Sequence, residues 1–92
     1  MTSTIELAPR LDTAFASTLQ ATLSSNLGGD VSLDGTRVEH LGARCLELLL
    51  RCQAVLESQG HGVSLLSPSD ALVRDLATFG LTPNDISTGG TT

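Results

Sequence analysis

The chain has 92 residues, 40% of them hydrophobic, with five Arg, no Lys and ten acidic side chains, giving a formal charge of −5. That length supports one small domain with a modest core and excludes two. The negative balance repels phosphate backbones and anionic lipid, and two Phe with no Trp or Tyr offer almost nothing for bases or sugars to stack on, so direct nucleic-acid binding is not expected.

The opening, MTSTIELAPRLD, lacks the apolar stretch of a signal peptide, and no run approaches the length of a membrane span. A cytoplasmic chain without direct membrane insertion is the expectation. TIELAP alternates as a short strand, with Ile5 and Leu7 facing one way and Pro9 stopping it. Asp12 is a candidate cap for a first helix over Thr13 to Leu23, whose Ala14, Phe15, Leu19 and Leu23 recur at helical spacing before the glycine pair in SSNLGGD. DVSLDG, with Val31 and Leu33 apolar, is too brief for a helix and reads as a central strand.

The longest helical pattern runs from about Gly42 to Ser58 and closes at SQGHG. At 100° per residue, Cys45, Leu48, Leu49, Cys52, Val55 and Leu56 share one arc, while Arg44, Glu47, Arg51 and Ser58 lie opposite. Leu46 and Leu50 point away from the centre of the apolar arc, so they are either covered by a neighbouring helix or form an exposed patch. GVSLLS gives a third strand, with Val63 and Leu65 on one face and Leu66 on the other. A last helix follows, with Ser67 as cap, Pro68 in its first position, Asp70 at the positive end of the helix dipole, and Ala71, Leu72, Leu76 and Phe79 as its apolar face. Gly80 and Leu81 form its stop, and TPNDISTGGTT, with one apolar residue, is expected to be a disordered tail over residues 82–92. The order β-α-β-α-β-α points to an α/β domain over residues 1–81 with a small, largely parallel or mixed sheet. Three helices cover one face of such a sheet, leaving the other exposed or available to a partner.

The residues with catalytic or ligating chemistry are few and scattered. Cys45 and Cys52, two helical turns and roughly 10 Å apart, are too distant for a disulfide and read as reduced packing residues on the apolar arc. His40, Cys45, Cys52 and His61 do not have the clustered spacing of a zinc site, and His40 and His61 read as solvent-facing. There is no nucleophile elbow, P-loop or dinucleotide fingerprint. No enzyme, metal or cofactor is expected. The unusual feature is EHLGAR, where the chain enters the long helix: its free N–H groups are a potential anion or partner contact, and Arg44 stands in the first turn, where the dipole gives a cation nothing.

At this junction VSLDGTRVEHLGARCLELLL resembles the core motif of the STAS domain, the fold of bacterial anti-sigma factor antagonists, in which a strand leads through Asp-Ser-Ser-Gly into a long aliphatic helix. Asp34, Val38, Leu41, Leu46 and Leu50 match in kind, and LAPRLDTAFASTLQATL and GHGVSLLSPSDALVRDLATFGL match the family's opening and close. The resemblance implies that the family's phosphoacceptor serine falls on Ala43, within Gly42-Ala43-Arg44-Cys45, which has no oxygen to phosphorylate. A single strand before the first helix, in place of the hairpin of longer STAS domains, is similar to the short STAS proteins of chemotaxis operons and to the STAS subunit of phospholipid-trafficking ABC transporters.

The expected function is therefore a non-catalytic interaction module in bacterial signal transduction, chemotaxis-associated or anti-sigma factor antagonist-like. The alternatives are an accessory subunit of such a transporter and a small anion or nucleotide sensor. The expected partner surface comprises His40, Gly42, Ala43, Arg44, Leu46, Glu47 and Leu50, its partner being a signalling kinase, an anti-sigma factor or a transporter subunit. Self-association is left open.

Overall fold

The computed structural model describes residues 2–87 of the protein. Its elements are β1 (Thr2–Glu6), β2 (Arg10–Leu11), a 3-10 turn (Thr13–Phe15), α1 (Ala16–Ser25), β3 (Asp30–Asp34), β4 (His40–Leu41), α2 (Ala43–Ser58), β5 (Val63–Leu66), α3 (Asp70–Thr78) and α4 (Pro83–Ile86). The fold is α/β with a parallel sheet.

β3 is the central strand of a sheet ordered β1-β3-β5, and both of its pairings are parallel. The register sets Ile5, Leu33 and Leu65 side by side, and likewise Ser3, Val31 and Val63. Since side chains alternate across a strand, these rows share one face, and there Ile5, Val31, Leu33 and Val63 are buried. The intervening row, Thr4, Ser32 and Ser64, faces the other way. Thr4 and Ser64 are exposed and Ser32 half-buried. That face thus carries a row of hydroxyls followed by the row Glu6, Asp34 and Leu66, the last 45% exposed.

The helices bring Leu19 and Leu23 from α1, Cys45, Leu48, Leu49, Cys52 and Leu56 from α2, and Leu72 and Leu76 from α3 into one continuous core. Each fully buried Leu contributes roughly 2 kcal/mol of transfer free energy, so this stabilisation is almost wholly aliphatic. Phe15 is half-buried and Phe79 is 40% exposed.

Asp12 caps the first helical segment as expected, its Oδ1 accepting from Phe15 N–H at 3.1 Å, but the segment begins as a 3-10 turn and Ala14 is exposed. Val55 is 40% exposed rather than part of the buried arc of α2. The cap of α3 is Ser69, not Ser67: Ser69 Oγ accepts from Leu72 N–H at 3.0 Å, whereas Ser67 sits in the left-handed region at φ 48° and Pro68 precedes the helix. Ser69 has the extended backbone of a cap, φ −67° and ψ 161°, and Gly35 packs closely beneath this turn, where an added Cβ would lie 2.7 Å from Leu72 Cδ2 and 3.2 Å from Pro68 Cα. Phe79 lies beyond the last turn of α3, off its buried face. Gly80, at φ 77°, makes the expected exit, and Leu81 N–H returns to Leu76 O at 2.9 Å.

Two features depart from the six-element order. β2 and β4 form a separate two-stranded parallel ladder, with Arg10 opposite His40 and Leu11 opposite Leu41. Two strands therefore precede α1, but β2 pairs with β4 and makes no hairpin with β1. Residues 82–87 are also ordered rather than a tail. Thr82 and Asp85 form a capping box, Ile86 is buried, and Gln53 Nε2 donates to Asp85 O and Ile86 O at 2.7 and 3.0 Å. Ser87 Oγ accepts from Leu65 N–H at 2.8 Å on the outer edge of β5. A single isoleucine and one turn of caps suffice because α2 and β5 supply the other half of each contact. Residues 88–92 lie outside the described residues.

Candidate functional site: the start of the long helix

The junction that opens α2 is held from two sides. Toward the N-terminal segment, Glu39 and His40 N–H both donate to Pro9 O at 2.7 and 3.1 Å, and Gly42 N–H donates to Leu11 O at 2.7 Å. The Cys45 thiol adds a bond to Asp12 O at 3.3 Å. From the other side, Asp75 on α3 accepts Leu41 N–H at 2.9 Å, and Ser69 reaches back to Gly35 O through its N–H (3.0 Å) and to Val38 O through its hydroxyl (2.5 Å). The chain from Gly35 to Gly42 therefore has little freedom where it delivers α2.

α2 itself starts bare. Gly42 provides no side-chain cap, and the first turn contains no acidic residue. Ala43 is its first residue and is exposed. Arg44 is ion-paired with Glu47, whose other oxygen lies 3.8 Å from Arg51 Nη2. One carboxylate thus bridges two guanidiniums, leaving a local excess of one positive charge on an acidic protein. Beside this ridge is a shallow, mostly apolar depression lined by Ala43, Leu46, Glu47, Leu50, Arg51 and Ala54. Leu46 is buried and Leu50 half-buried, so Leu46 belongs to the core rather than to an exposed patch, while the edges of both floor the depression.

Of the expected partner surface, Ala43, Leu46, Glu47 and Leu50 come together in this depression, with Arg44 joined to it through Glu47. His40 and Gly42 do not line it. His40 is exposed and its Nδ1 lies 3.8 Å from Asp75 Oδ2, on the α3 side of the junction. A second groove, between α1 and α2, is lined by Leu23, Leu27, Leu48, Cys52 and Val55 with Gln20 and Arg51 at its rim. Periodicity does not signal this groove, because Val55 falls on the apolar arc of α2 and Leu27 lies beyond the end of α1.

The electrostatics follow the hydrogen bonds. The Leu41 N–H holds the Asp75 carboxyl below the usual carboxylate range, with Arg74 and His40 assisting. The Thr36 hydroxyl and N–H, at 2.6 and 3.0 Å, do the same for Asp34 at the end of β3. Burial pushes both cysteine thiols up, that of Cys45 further raised by Asp12, which makes them poorer nucleophiles and poorer metal ligands. Among the described residues no group of three or more His, Cys, Asp or Glu is placed to hold a metal ion.

A central parallel strand ending in Asp34 and a pinned connector leading into a long aliphatic helix match what the sequence motif implies. The family model described as "Mlab, STAS domain" matches residues 1–83. The chain belongs to the STAS domain family. No curated protein matches it. The match spans every strand of this STAS domain and reaches the first residue of α4. Among the described residues of the domain, no helix is long and apolar enough to cross a membrane.

Proposed function

We propose that this STAS domain is a non-catalytic docking module, constitutively competent, that engages a protein partner through the start and outward flank of α2. The observation that carries the reading is Ala43: an exposed methyl at the first position of an uncapped helix, on the edge of an apolar depression rimmed by Arg44, Glu47 and Arg51. Family membership supports a protein partner. A side chain without a hydroxyl at the position that the family motif gives to a phosphoacceptor supports docking that no kinase switches off there. The partner is a cytoplasmic signalling component, a chemotaxis-associated kinase or an anti-sigma factor. A transporter subunit is the second reading, supported by the absence, among the described residues, of a β1–β2 hairpin ahead of α1. An anion sensor is disfavoured because the nearby cations are already engaged, Arg44 by Glu47 and Arg37 by Glu6 at 3.4 Å.

The test is co-purification with the products of adjacent genes, which separates the signalling and transporter readings, followed by Ala43→Glu. A carboxylate in the first turn of a helix is favoured by the dipole by about 0.3–1 kcal/mol, so the variant should fold at least as well as the wild type. At a docking surface it acts as a phosphate would and should weaken the partner at least about tenfold. Native affinity of the Ala43→Glu protein would move the site off α2.

A further inference from the structure

We propose that Asp75, on α3, is a positioning residue for the docking junction, its carboxylate fixing the register in which β4 hands the chain to α2. The need for it arises in the backbone. β4 pairs with β2 alone, and the N–H groups of His40 and Gly42 point to that partner, toward Pro9 O and Leu11 O. Strand alternation turns the N–H of Leu41 to the opposite side, where there is no strand, at a residue only 2% exposed. A buried amide must find an acceptor, and Asp75 Oδ2 is that acceptor at 2.9 Å. The carboxylate is directed inward for this purpose. The Asp75 side chain is 17% exposed while that of Arg74 beside it is 70% exposed. Only Gly42 lies between the anchored Leu41 and Ala43, so a shift in β4 passes directly into the first turn of α2. Ser69, at the other end of the same contact, holds Gly35 and Val38. α3 therefore acts as a clamp on the connector, Ser69 near its start and Asp75 at its delivery point. The inference rests on the α2 docking reading for its functional consequence only.

The test is amide exchange and chemical-shift mapping on the full ¹⁵N-labelled chain. In Asp75→Ala the Leu41 amide should exchange at least about tenfold faster, and the resonances of residues 42–45 should move, since the local opening of β4 is no longer opposed. Asp75→Asn retains an oxygen acceptor without charge and should stay within about threefold of the wild type. If Asp75→Ala does not fold, the wild-type acid titration decides. The Leu41 amide proton should shift with a midpoint below the usual carboxylate range, with His40 and Arg74 facing the same carboxylate, and the shift should be missing in Asp75→Asn. Unchanged Leu41 exchange in Asp75→Ala, or an Asp75→Asn protein as perturbed as Asp75→Ala, overturns the assignment, as does a wild-type Leu41 proton that ignores acid. Faster Leu41 exchange with unchanged partner affinity would uphold the anchor and overturn the docking reading instead.

Discussion

The starts of α2 and α3 solve the same problem in opposite ways. α3 opens on Ser69, whose hydroxyl takes the Leu72 N–H, and has Asp70 in its first turn, where a carboxylate complements the helix dipole. α2 opens on Gly42 with no side-chain cap and has Arg44 in its first turn. The shorter helix, nine residues against sixteen, has the better local start. The difference shows where each start gets its stability. α3 is capped by its own N-cap side chain, whereas the start of α2 is held through the chain that precedes it, by the bonds of Gly42 to Leu11 and Leu41 to Asp75, and on its buried side by the bond of the Cys45 thiol to Asp12 O. Cys45 and Leu46 bury the inner side of the first turn of α2, and its exposed side, Ala43 and Arg44, is left outside the capping requirement and available to a partner.

The comparison can be broken most forcefully at Ser69. Ser69→Ala removes the α3 cap and the bond to Val38 O together, leaving a backbone donor and an acceptor short of partners, and should cost about 2 kcal/mol in urea unfolding. A loss below about 0.5 kcal/mol would mean that α3 is held by its apolar face alone. Arg44→Glu should separate stability from binding at the other start. The Arg44–Glu47 pair is exposed on both sides, so the melting temperature should barely move, while affinity for the partner falls by at least about 1 kcal/mol through like-charge contact. Equal loss of stability and binding would place Arg44 in the fold rather than at the interface.

The smallest effect is the one read in acid. Asp75 and Asp34 have carboxyls held below their ordinary range, Asp75 chiefly by Leu41 N–H and Asp34 chiefly by the Thr36 hydroxyl. Because the folded state lowers these values, the native state favours the ionised form. The resulting stability is fully present above the unfolded carboxylate value, near pH 4, and is lost as the pH falls through the folded one. Stability should therefore decline below about pH 4, with a shallower decline in Asp75→Asn. A decline as steep in Asp75→Asn as in the wild type would assign the acid response to Asp34 and other carboxylates.

The parts legible in the sequence were those in which one segment determines its own form. Period-two alternation located β1, β3 and β5, the apolar arc located α2, and Asp12 and Gly80 marked helix limits by local chemistry. The unread parts are pairwise. β2 and β4 are two residues each, too short for any period, and exist because Pro9 and Leu11 present carbonyls to a distant connector. Ser67 is an acceptable cap by residue type, but its backbone is left-handed, while Ser69 has the extended backbone of a cap and is tied to Gly35 and Val38, contacts with a distant connector that local sequence does not show. At the candidate site, sequence singled out Ala43, Arg44 and Glu47 but offered no signal for Asp75. An aspartate on a helix looks solvated until the unpaired amide of Leu41 is found beside it.

The final described turn has a consequence for one edge of the sheet. A three-stranded parallel sheet has two raw edges, each a template for another strand, and such edges drive edge-to-edge polymerisation. On β5 the Leu65 N–H that would recruit a neighbour is already taken by Ser87, held in place by the burial of Ile86 and the grip of Gln53. Residues 82–87 thus take up a strand-edge donor on the side of the sheet that ends in the exposed Leu66.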